Sequence, residues 1–181
     1  PTALADFDPQ GSSMDWLAER PPERPTIQGI AAWEDMIRLP RDTERLIIDA
    51  PARVHGKELT DMIRRAQTVI VPVLPSPIDM RAAADFINEL LSVGKVSRDE
   101  TRIAVVANRV RESTLAFQSL NEFLNSLDIP FIAVLRDSQN YVRAAERGLG
   151  IFELPPYMAE HDVAQWVPLL RWLNSKRSMP V

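Results

Sequence analysis

Residues 3–13, ALADFDPQGSS, contain the pattern that decides the fold: a short apolar run, two carboxylates, and a break before a helix. The apolar run is typical of a buried strand, which the proline and the glycine then end. Ser12 or Ser13 is expected to cap the helix that follows. Asp6 and Asp8 therefore lie at the carboxyl end of a strand, where open α/β sheets bind their ligands. An Asp-x-Asp pattern is common in turns, so this interpretation depends on the rest of the chain.

Apolar strands and amphipathic helices alternate along the remaining sequence. This alternation predicts an α/β protein with a mostly parallel, twisted sheet and helices on both faces. The proline-rich residues 21–25 are predicted to form a surface loop. Strands are predicted at 46–48, 68–74, 102–107 and 131–135, and helices at 57–66, from Pro77 onward after a Ser76 cap, at 114–127, before a C-terminal Gly148, and at 158–174.

Composition narrows the class of protein. The 181 residues suit one domain, and 45% of them are apolar, which is ordinary for a globular protein. With no cysteine, the chain has no disulfide, no thiolate metal site and no cysteine nucleophile. It shows neither a signal peptide nor an apolar run that could span a bilayer, so we expect a cytoplasmic protein. The net charge of −4 does not by itself indicate nucleic-acid binding, although a local basic patch is compatible with it.

Polar residues end three of the predicted strands. Asp6 and Asp8 follow the first, Asp49 follows the apolar run 46–48 in the segment LIIDAP, and Asn108 follows the strand at 102–107. An apolar strand ending in aspartate is how a Walker B carboxylate is presented to a hydrated Mg²⁺ ion, which keeps several waters and takes one or two carboxylates. The alternative is that Asp49 only caps the next helix. Together these residues predict a crevice that binds a nucleotide, with a magnesium site.

Five segments occur together in an order and spacing typical of one family. They resemble the ParA/MinD family of partitioning and positioning ATPases, and the resemblance extends from Asp6 to about Leu173. Any one of these segments is weak alone, whereas five in order are specific. The segments are DFDPQGSS (6–13), LIIDAPA (46–52), VIVPVLPSPIDMRAA (69–83), VVANRV (105–110) and LRDSQNYVRAAERG (135–148).

The resemblance implies ATP and Mg²⁺ as cofactors and gives the three aspartates distinct roles. Asp8 matches the switch I aspartate, which orients the attacking water at the ATP γ-phosphate and is the catalytic residue. Asp6 is expected beside the magnesium. Asp49 matches the Walker B position and is expected to hold Mg²⁺ through water, with residues 50–56 as switch II. Such roles suit phosphoryl transfer, which needs positioning and charge neutralisation more than covalent chemistry.

The resemblance also implies a base-binding site. Asn108 matches the residue that reads the adenine edge. The backbone around Arg136 and Asp137 is expected to line the pocket for the base.

One departure from the family concerns the phosphate loop. The 181 residues contain no glycine-rich loop followed by Lys-Thr or Lys-Ser, whose N–H groups and lysine would bind the phosphates. We therefore expect a single ParA-like domain over residues 1–181 that lacks the family's N-terminal strand, phosphate loop and helix. Two explanations are open: the sequence is incomplete at this end, or the protein is a degenerate homologue that acts as a scaffold without ATP.

The family cycle implies the partners. ATP drives formation of a homodimer that binds DNA without sequence preference, and hydrolysis, stimulated by a partner or cargo-adaptor protein, releases it. The cargo would be a plasmid, a chromosome or a protein assembly, and the protein would be cytoplasmic and nucleoid-associated. Arg143 and Arg147, four apart on one helix, and Arg171, Lys176 and Arg177 are candidates for phosphate contacts, the alternative being an ordinary solvated surface.

A MinD-like ATPase that works on a membrane surface is the remaining alternative. That activity would need an amphipathic basic helix at the C-terminus. Residues 174–181, NSKRSMPV, are short, contain a proline and lack a bulky apolar face. Membrane binding is therefore not expected.

Overall fold

The computed structural model describes residues 1–34, 36–93, 96 and 100–180. Strands and helices alternate along it, which confirms the predicted α/β class. The strands are β1 (Thr2–Asp6), β2 (Ile27–Ala31), β3 (Arg45–Asp49), β4 (Thr68–Val73), β5 (Arg102–Val110) and β6 (Phe131–Arg136). The helices are α1 (Ser12–Ala18), α2 (Gly56–Ile63), α3 (Pro77–Ser92), α4 (Leu115–Ser126), α5 (Gln139–Ala145) and α6 (Pro156–Leu173), with a 3-10 turn at Ile151–Glu153.

The strands form two three-stranded sheets, in the orders β2-β1-β3 and β4-β5-β6. All four ladders are parallel, as predicted. Each sheet lies in its own compact unit. The first unit contains residues 1–54 and 139–159, and the second contains residues 55–138 and the chain from residue 160 onward. The expectation of a single domain stays a prediction.

In the first unit β1 is the central and most buried strand. Ala3, Leu4 and Ala5 are all at most 9% exposed, and the register places Asp6 opposite Ala31 on one side and Asp49 on the other. The parallel ladders therefore bring the ends of β1 and β3 to the same level of the sheet.

Strand β2 was not predicted, and Gly29 explains why. A Cβ at Gly29 would lie 2.3 Å from Met14 Cε and 2.8 Å from Leu17 Cδ1, so helix α1 packs directly over this glycine. A glycine inside a strand often marks such a close approach. The sequence IQGIA has only two large apolar residues, which is too weak a pattern to identify a strand.

The second unit has its own apolar core around β5. Residues 103–107 of that strand are all buried, as continuous apolar strands of a parallel sheet usually are. Among the described helices, none is both long and apolar enough to cross a bilayer. One core cluster is formed by Val106, Ala133, Leu135 and Leu169, with Ile70, Ile132, Trp166 and Leu173 packed against it.

Two predicted helix ends have the expected local chemistry. The Ser76 hydroxyl accepts the N–H of Asp79 at 3.1 Å and Pro77 occupies the first helical position of α3. Gly148, with φ 59°, follows α5 as the C-terminal glycine. Its N–H donates to the Ala145 oxygen at 3.0 Å and the next N–H, of Leu149, donates to the Ala144 oxygen at 2.9 Å, which is the Schellman pattern.

Gly148 and Gly56 offer a matched test of how tightly the chain packs at Gly148. Both have φ 59°, but a Cβ at Gly148 would lie 2.3 Å from the Arg20 nitrogen, whereas one at Gly56 would meet nothing within 4 Å. Gly56→Ala should lower the free energy of unfolding by about 1–2 kcal/mol through backbone strain alone. Gly148→Ala should lower it by about 2–5 kcal/mol, because overpacking adds about 1–3 kcal/mol. Urea denaturation of both variants measures the difference, and equal losses would contradict the close packing.

Candidate nucleotide and metal site

Asp6, the last residue of β1, is a buried carboxylate with two backbone donors. It is 0% exposed. Its Oδ1 accepts the N–H of Asp8 at 2.9 Å and its Oδ2 accepts the N–H of Ser13 at 3.1 Å. Charge-assisted hydrogen bonds of this kind offset the cost of removing a carboxylate from water. Asp6 therefore joins the strand end to the turn that follows and to the first turn of α1.

The predicted serine cap of α1 is wrong. The N-cap is Gly11, with φ 67° and ψ 21°, and neither Ser12 nor Ser13 caps the helix through its side chain. A positive φ favours glycine, and a Cβ there would also lie 3.3 Å from the Trp33 ring. Since Asp6 already satisfies the N–H of Ser13, the helix start needs no hydroxyl as a cap. The Ser13 hydroxyl is left to bond elsewhere.

Asp49, the last residue of β3, receives that hydroxyl. Ser13 Oγ donates to Asp49 Oδ2 at 2.6 Å, and the Asp49 side chain is half-buried. The alternative that Asp49 caps the next helix is excluded, because α2 begins at Gly56 with His55 as its N-cap. Asp6 and Asp49, neighbours in the ladder, are both bonded to Ser13.

Asp8 differs from Asp6 in both burial and bonding. It is half-buried, and its Oδ1 accepts the N–H of Gln10 at 2.9 Å within a tight turn. In the part of the chain that the structure describes, Asp8 Oδ2 has no hydrogen-bond partner. Asp8 is thus the more accessible of the two carboxylates in the Asp-x-Asp pair.

The side chains at these strand ends suit magnesium only as a hydrated ion that takes few protein ligands. No group of three or more His, Cys, Asp or Glu side chains among the described residues could hold a metal ion. Magnesium, however, takes one or two carboxylates and fills its remaining positions with water and phosphate oxygens. Asp49 supplies one such carboxylate, and the Ser13 hydroxyl is bonded to that carboxylate. The site therefore suits a hydrated Mg²⁺ ion.

The base-binding candidates lie in the second unit. Strand β5 continues through Asn108 to Val110, beyond the predicted end at residue 107. Its pairing with β6 shifts register between Val105 and Val106 and again between Ala107 and Val110, and Arg109 has φ 52°. This is the geometry of a β-bulge, which re-aims side chains near strand ends. Asn108 lies on the bulge, half-buried, and its Oδ1 accepts the Arg109 N–H at 3.0 Å.

The second unit brings Asp137 to the same bulge. Its N–H donates to the Val110 oxygen at 2.9 Å. Its carboxylate accepts from Arg111 at 3.0 Å and lies 3.7 Å from Arg109. Asn108 and Asp137 are therefore held at adjacent strand ends. Whether they share one crevice with the three aspartates of the first unit stays a prediction.

Arg136 is hydrogen-bonded to helix α6, and this contact was not predicted from the sequence. Its guanidinium donates to both carboxylate oxygens of Asp162, which is 0% exposed, and its N–H donates to Gln165 Oε1 at 2.9 Å. Ser138 Oγ donates to Asp162 at 3.2 Å. Asp162 lies at helical spacing from the buried Ala159 and Leu169, and a charged residue on such an apolar face is the signal that could have located this pair. The expected role of the Arg136 backbone in base binding stays a prediction, and its N–H is already donated.

The chain has relatives of low sequence identity. No protein-family profile matches it. Maintenance of carboxysome distribution protein A from Halothiobacillus neapolitanus is 20% identical over 158 residues, which is 83% of this chain and 73% of the relative.

Solved structures share the fold over nearly the whole chain. A protein assigned to plasmid partition from Borrelia burgdorferi B31, bound to AMPPNP, has a TM-score of 0.67 at 14% identity, over 94% of this chain and 86% of its own. The MinD cell division protein of Aquifex aeolicus has a TM-score of 0.63 at 15% identity, over 99% and 86%. A Cyanothece McdA variant in complex with ATP has a TM-score of 0.64 at 16% identity, over 93% and 84%. The predicted resemblance to the ParA/MinD family is confirmed.

The basic residues that the ParA/MinD resemblance singles out are all exposed. One detail of the prediction is wrong: α5 ends at Ala145, so Arg147 lies in the turn that leads to Gly148 and not on the same helix as Arg143. The tight Schellman turn ends the helix before it can reach Arg147. The first unit contains Arg143 and Arg147, and the second contains Arg171, Lys176 and Arg177.

The C-terminal end of α1 is hydrogen-bonded to residues 148–153 of this chain. Arg20 donates to Glu153 at 2.8 Å and to the Gly148 oxygen at 2.9 Å, and Trp16 Nε1 donates to the Leu149 oxygen at 3.2 Å. Arg20 also lies 5.8 Å from the centre of the Trp16 ring. The helix that carries Ser13 is therefore anchored at both ends.

The Arg20–Glu153 pair makes stability depend on pH. The hydrogen bond from Arg20 holds the pKa of Glu153 below its usual value of 4.5, while burial opposes this and the Gly150 N–H supports it. Because the folded-state pKa is the lower one, the stabilisation is present above the unfolded pKa and is lost as pH falls through the folded pKa. Glu153→Gln should therefore lose less thermal stability than the wild type between about pH 5 and pH 3. Thermal melts across this range, with the exposed Glu146→Gln as control, measure it; parallel curves for wild type and Glu153→Gln would contradict the coupling.

Proposed function

We propose that this protein is a ParA-like ATPase. In this proposal Asp8 orients the water that attacks the γ-phosphate, and Asp49 holds a hydrated Mg²⁺ ion. The observation that carries it is the contrast between neighbours. Asp6 is buried and each of its oxygens accepts a backbone N–H, whereas Asp8 keeps a carboxylate oxygen without a partner among the described residues. The ATP and AMPPNP bound to two solved relatives support the choice of nucleotide.

The metal ion and the residues of the site would have separate roles in the proposed reaction. Bound Mg²⁺ would neutralise charge on the phosphates and place them for in-line attack. Asp8 would accept a hydrogen bond from the attacking water, and Asp6 would keep the turn that carries Asp8 in place. Asn108 and the main chain at Arg136 and Asp137 would contact the adenine.

The proposed cellular role is to position or segregate a cargo. ATP would hold a homodimer that binds DNA without sequence preference in the nucleoid, and hydrolysis would release it. A partner protein would stimulate hydrolysis by biasing the loops that follow Asp6 and Asp49. Relatives named for carboxysome distribution and plasmid partition support such a role, with a protein assembly, a plasmid or a chromosome as cargo.

MgATP turnover of the natural gene product, with and without DNA, tests the proposal. Turnover that DNA or a partner protein modulates supports it. Neither turnover nor ATP binding would instead support the degenerate scaffold of the same fold. Sedimentation of the ATP-loaded protein with anionic liposomes but not with DNA would support the MinD-like alternative.

Asp8→Ala should separate catalysis from folding. If Asp8 orients water, turnover should fall by about 10²–10⁴-fold. The melting temperature should change little, because only a local bond to Gln10 is lost. Asp6→Ala is the contrasting variant: it removes the acceptor of two backbone N–H groups and should lower the melting temperature clearly. Normal hydrolysis by a folded Asp8→Ala protein would contradict the assignment.

Non-specific DNA binding should depend steeply on salt. Each phosphate contact releases condensed counterions, so removing one contact should reduce the slope of log K against log salt by about 1. Lys176→Glu with Arg177→Glu should weaken binding of any duplex and flatten that slope. Arg81→Glu, an exposed change on α3 outside the candidate set, is the control. Fluorescence anisotropy at several salt concentrations measures this, and affinity that ignores both salt and charge reversal would exclude these positions.

A further inference from the structure

Ser13 bonds to both strand-end carboxylates at once. Its N–H donates to Asp6 Oδ2 at 3.1 Å, and its hydroxyl donates to Asp49 Oδ2 at 2.6 Å. The second bond joins residues 36 apart in the sequence. A hydroxyl so close to a carboxylate forms a charge-assisted hydrogen bond, which is shorter and stronger than a neutral one.

The hydroxyl is available for Asp49 because the start of α1 does not need it. Gly11 occupies the N-cap position, and Asp6 supplies the acceptor that a capping side chain would normally supply. The neighbouring Ser12 has the same chemistry but is exposed and makes no hydrogen bond to a described residue through its side chain. The structure therefore assigns different tasks to two adjacent serines.

The bond from Ser13 leaves Asp49 with one oxygen for a ligand. Oδ2 is occupied, and Oδ1 has no partner among the residues that the structure describes. A carboxylate pinned through one oxygen can present its other oxygen in a fixed direction. Groups that orient a metal-binding side chain in this way usually affect metal affinity as much as geometry.

We propose that Ser13 is a positioning residue of the magnesium site. Its hydroxyl fixes the orientation of the Asp49 carboxylate and leaves Oδ1 for a ligand, which in the proposed function would be the hydrated Mg²⁺ ion. The inference rests on the proposed function, because it takes Asp49 as the magnesium carboxylate. Ser13 acts only through Asp49 and contacts neither the nucleotide nor the metal ion.

Helix α1, which carries Ser13, is held by hydrogen bonds at both of its ends. Asp6, buried at the end of β1, fixes its N–H, and the contacts of Trp16 and Arg20 fix the other end of α1. The hydroxyl is therefore preorganised, which a positioning residue requires.

Mn²⁺ binding to the natural protein tests the inference. Mn²⁺, a paramagnetic substitute for Mg²⁺, would be titrated in the presence of AMPPNP and followed by electron paramagnetic resonance. Ser13→Ala should weaken Mn²⁺ binding about 10-fold, which is the usual effect of losing a group that orients a metal ligand. Ser13→Thr keeps the hydroxyl and should restore most of the affinity. Ser12→Ala, the matched control, should bind Mn²⁺ as the wild type does.

A background variant distinguishes positioning from a general structural effect. In Asp49→Asn, where the carboxylate is already lost, adding Ser13→Ala should cause no further loss of Mn²⁺ affinity. Additive losses would overturn the inference. So would a wild type and a Ser13→Ala variant that bind Mn²⁺ equally, although the proposed function would then survive. If the wild type binds no Mn²⁺ with AMPPNP, the proposed function fails and the inference fails with it.

Discussion

The burial of one negative charge constrains much of the first unit. Asp6 has no access to solvent, so its carboxylate must be matched by donors from the protein. Those donors are the backbone N–H groups of Asp8 in the turn and of Ser13 in α1, and the Ser13 N–H reaches the carboxylate because the chain turns at Gly11. The direction of α1, the conformation of the Asp8 turn and the position of Ser13 all follow from that requirement.

In the other unit a second buried aspartate also has to be matched by donors from the protein. Asp162 on α6 is matched by the Arg136 guanidinium and the Ser138 hydroxyl, and Gln165, one turn further on, accepts the Arg136 N–H. Breaking such a pair leaves an uncompensated charge in the interior, which costs far more than the pair contributes. Each unit thus has one aspartate that fixes a strand end against a helix.

The sequence predicts the elements with strong local patterns and misses those set by tertiary contacts. Continuous apolar runs identified β3 to β6, and Ser76 and Gly148 correctly marked helix ends because their chemistry is local. Strand β2 was missed because Gly29 is explained only by the side chains packed on it. The α1 cap was misassigned because its acceptor, Asp6, comes from a strand, which no rule about neighbouring residues detects.

The candidate site likewise has features that the sequence predicts and features that only the structure shows. Asp6, Asp8 and Asp49 were identified from their positions at strand ends, and the family resemblance assigned them different roles. The Asp-x-Asp pattern, however, does not indicate which of its two aspartates is buried. Burial and hydrogen bonding make that distinction. The role of Ser13 could not be predicted, since its two partners lie 7 and 36 residues away in the chain.

The anchoring of α1 has a consequence for the order of events during synthesis. Arg20 and its partner Glu153 are 133 residues apart in the sequence, and the first unit is built from two separate stretches of chain. At about 5–20 residues per second, the ribosome needs on the order of ten seconds to make the second stretch after the first. During that interval the bonds of Trp16 to Leu149 and of Arg20 to Gly148 and Glu153 are missing. The C-terminal end of α1 then has only its contacts within the first stretch, such as the bond from Arg20 to the Pro25 oxygen. The helix beside the three aspartates therefore gains these contacts only after residues 148–153 have been made.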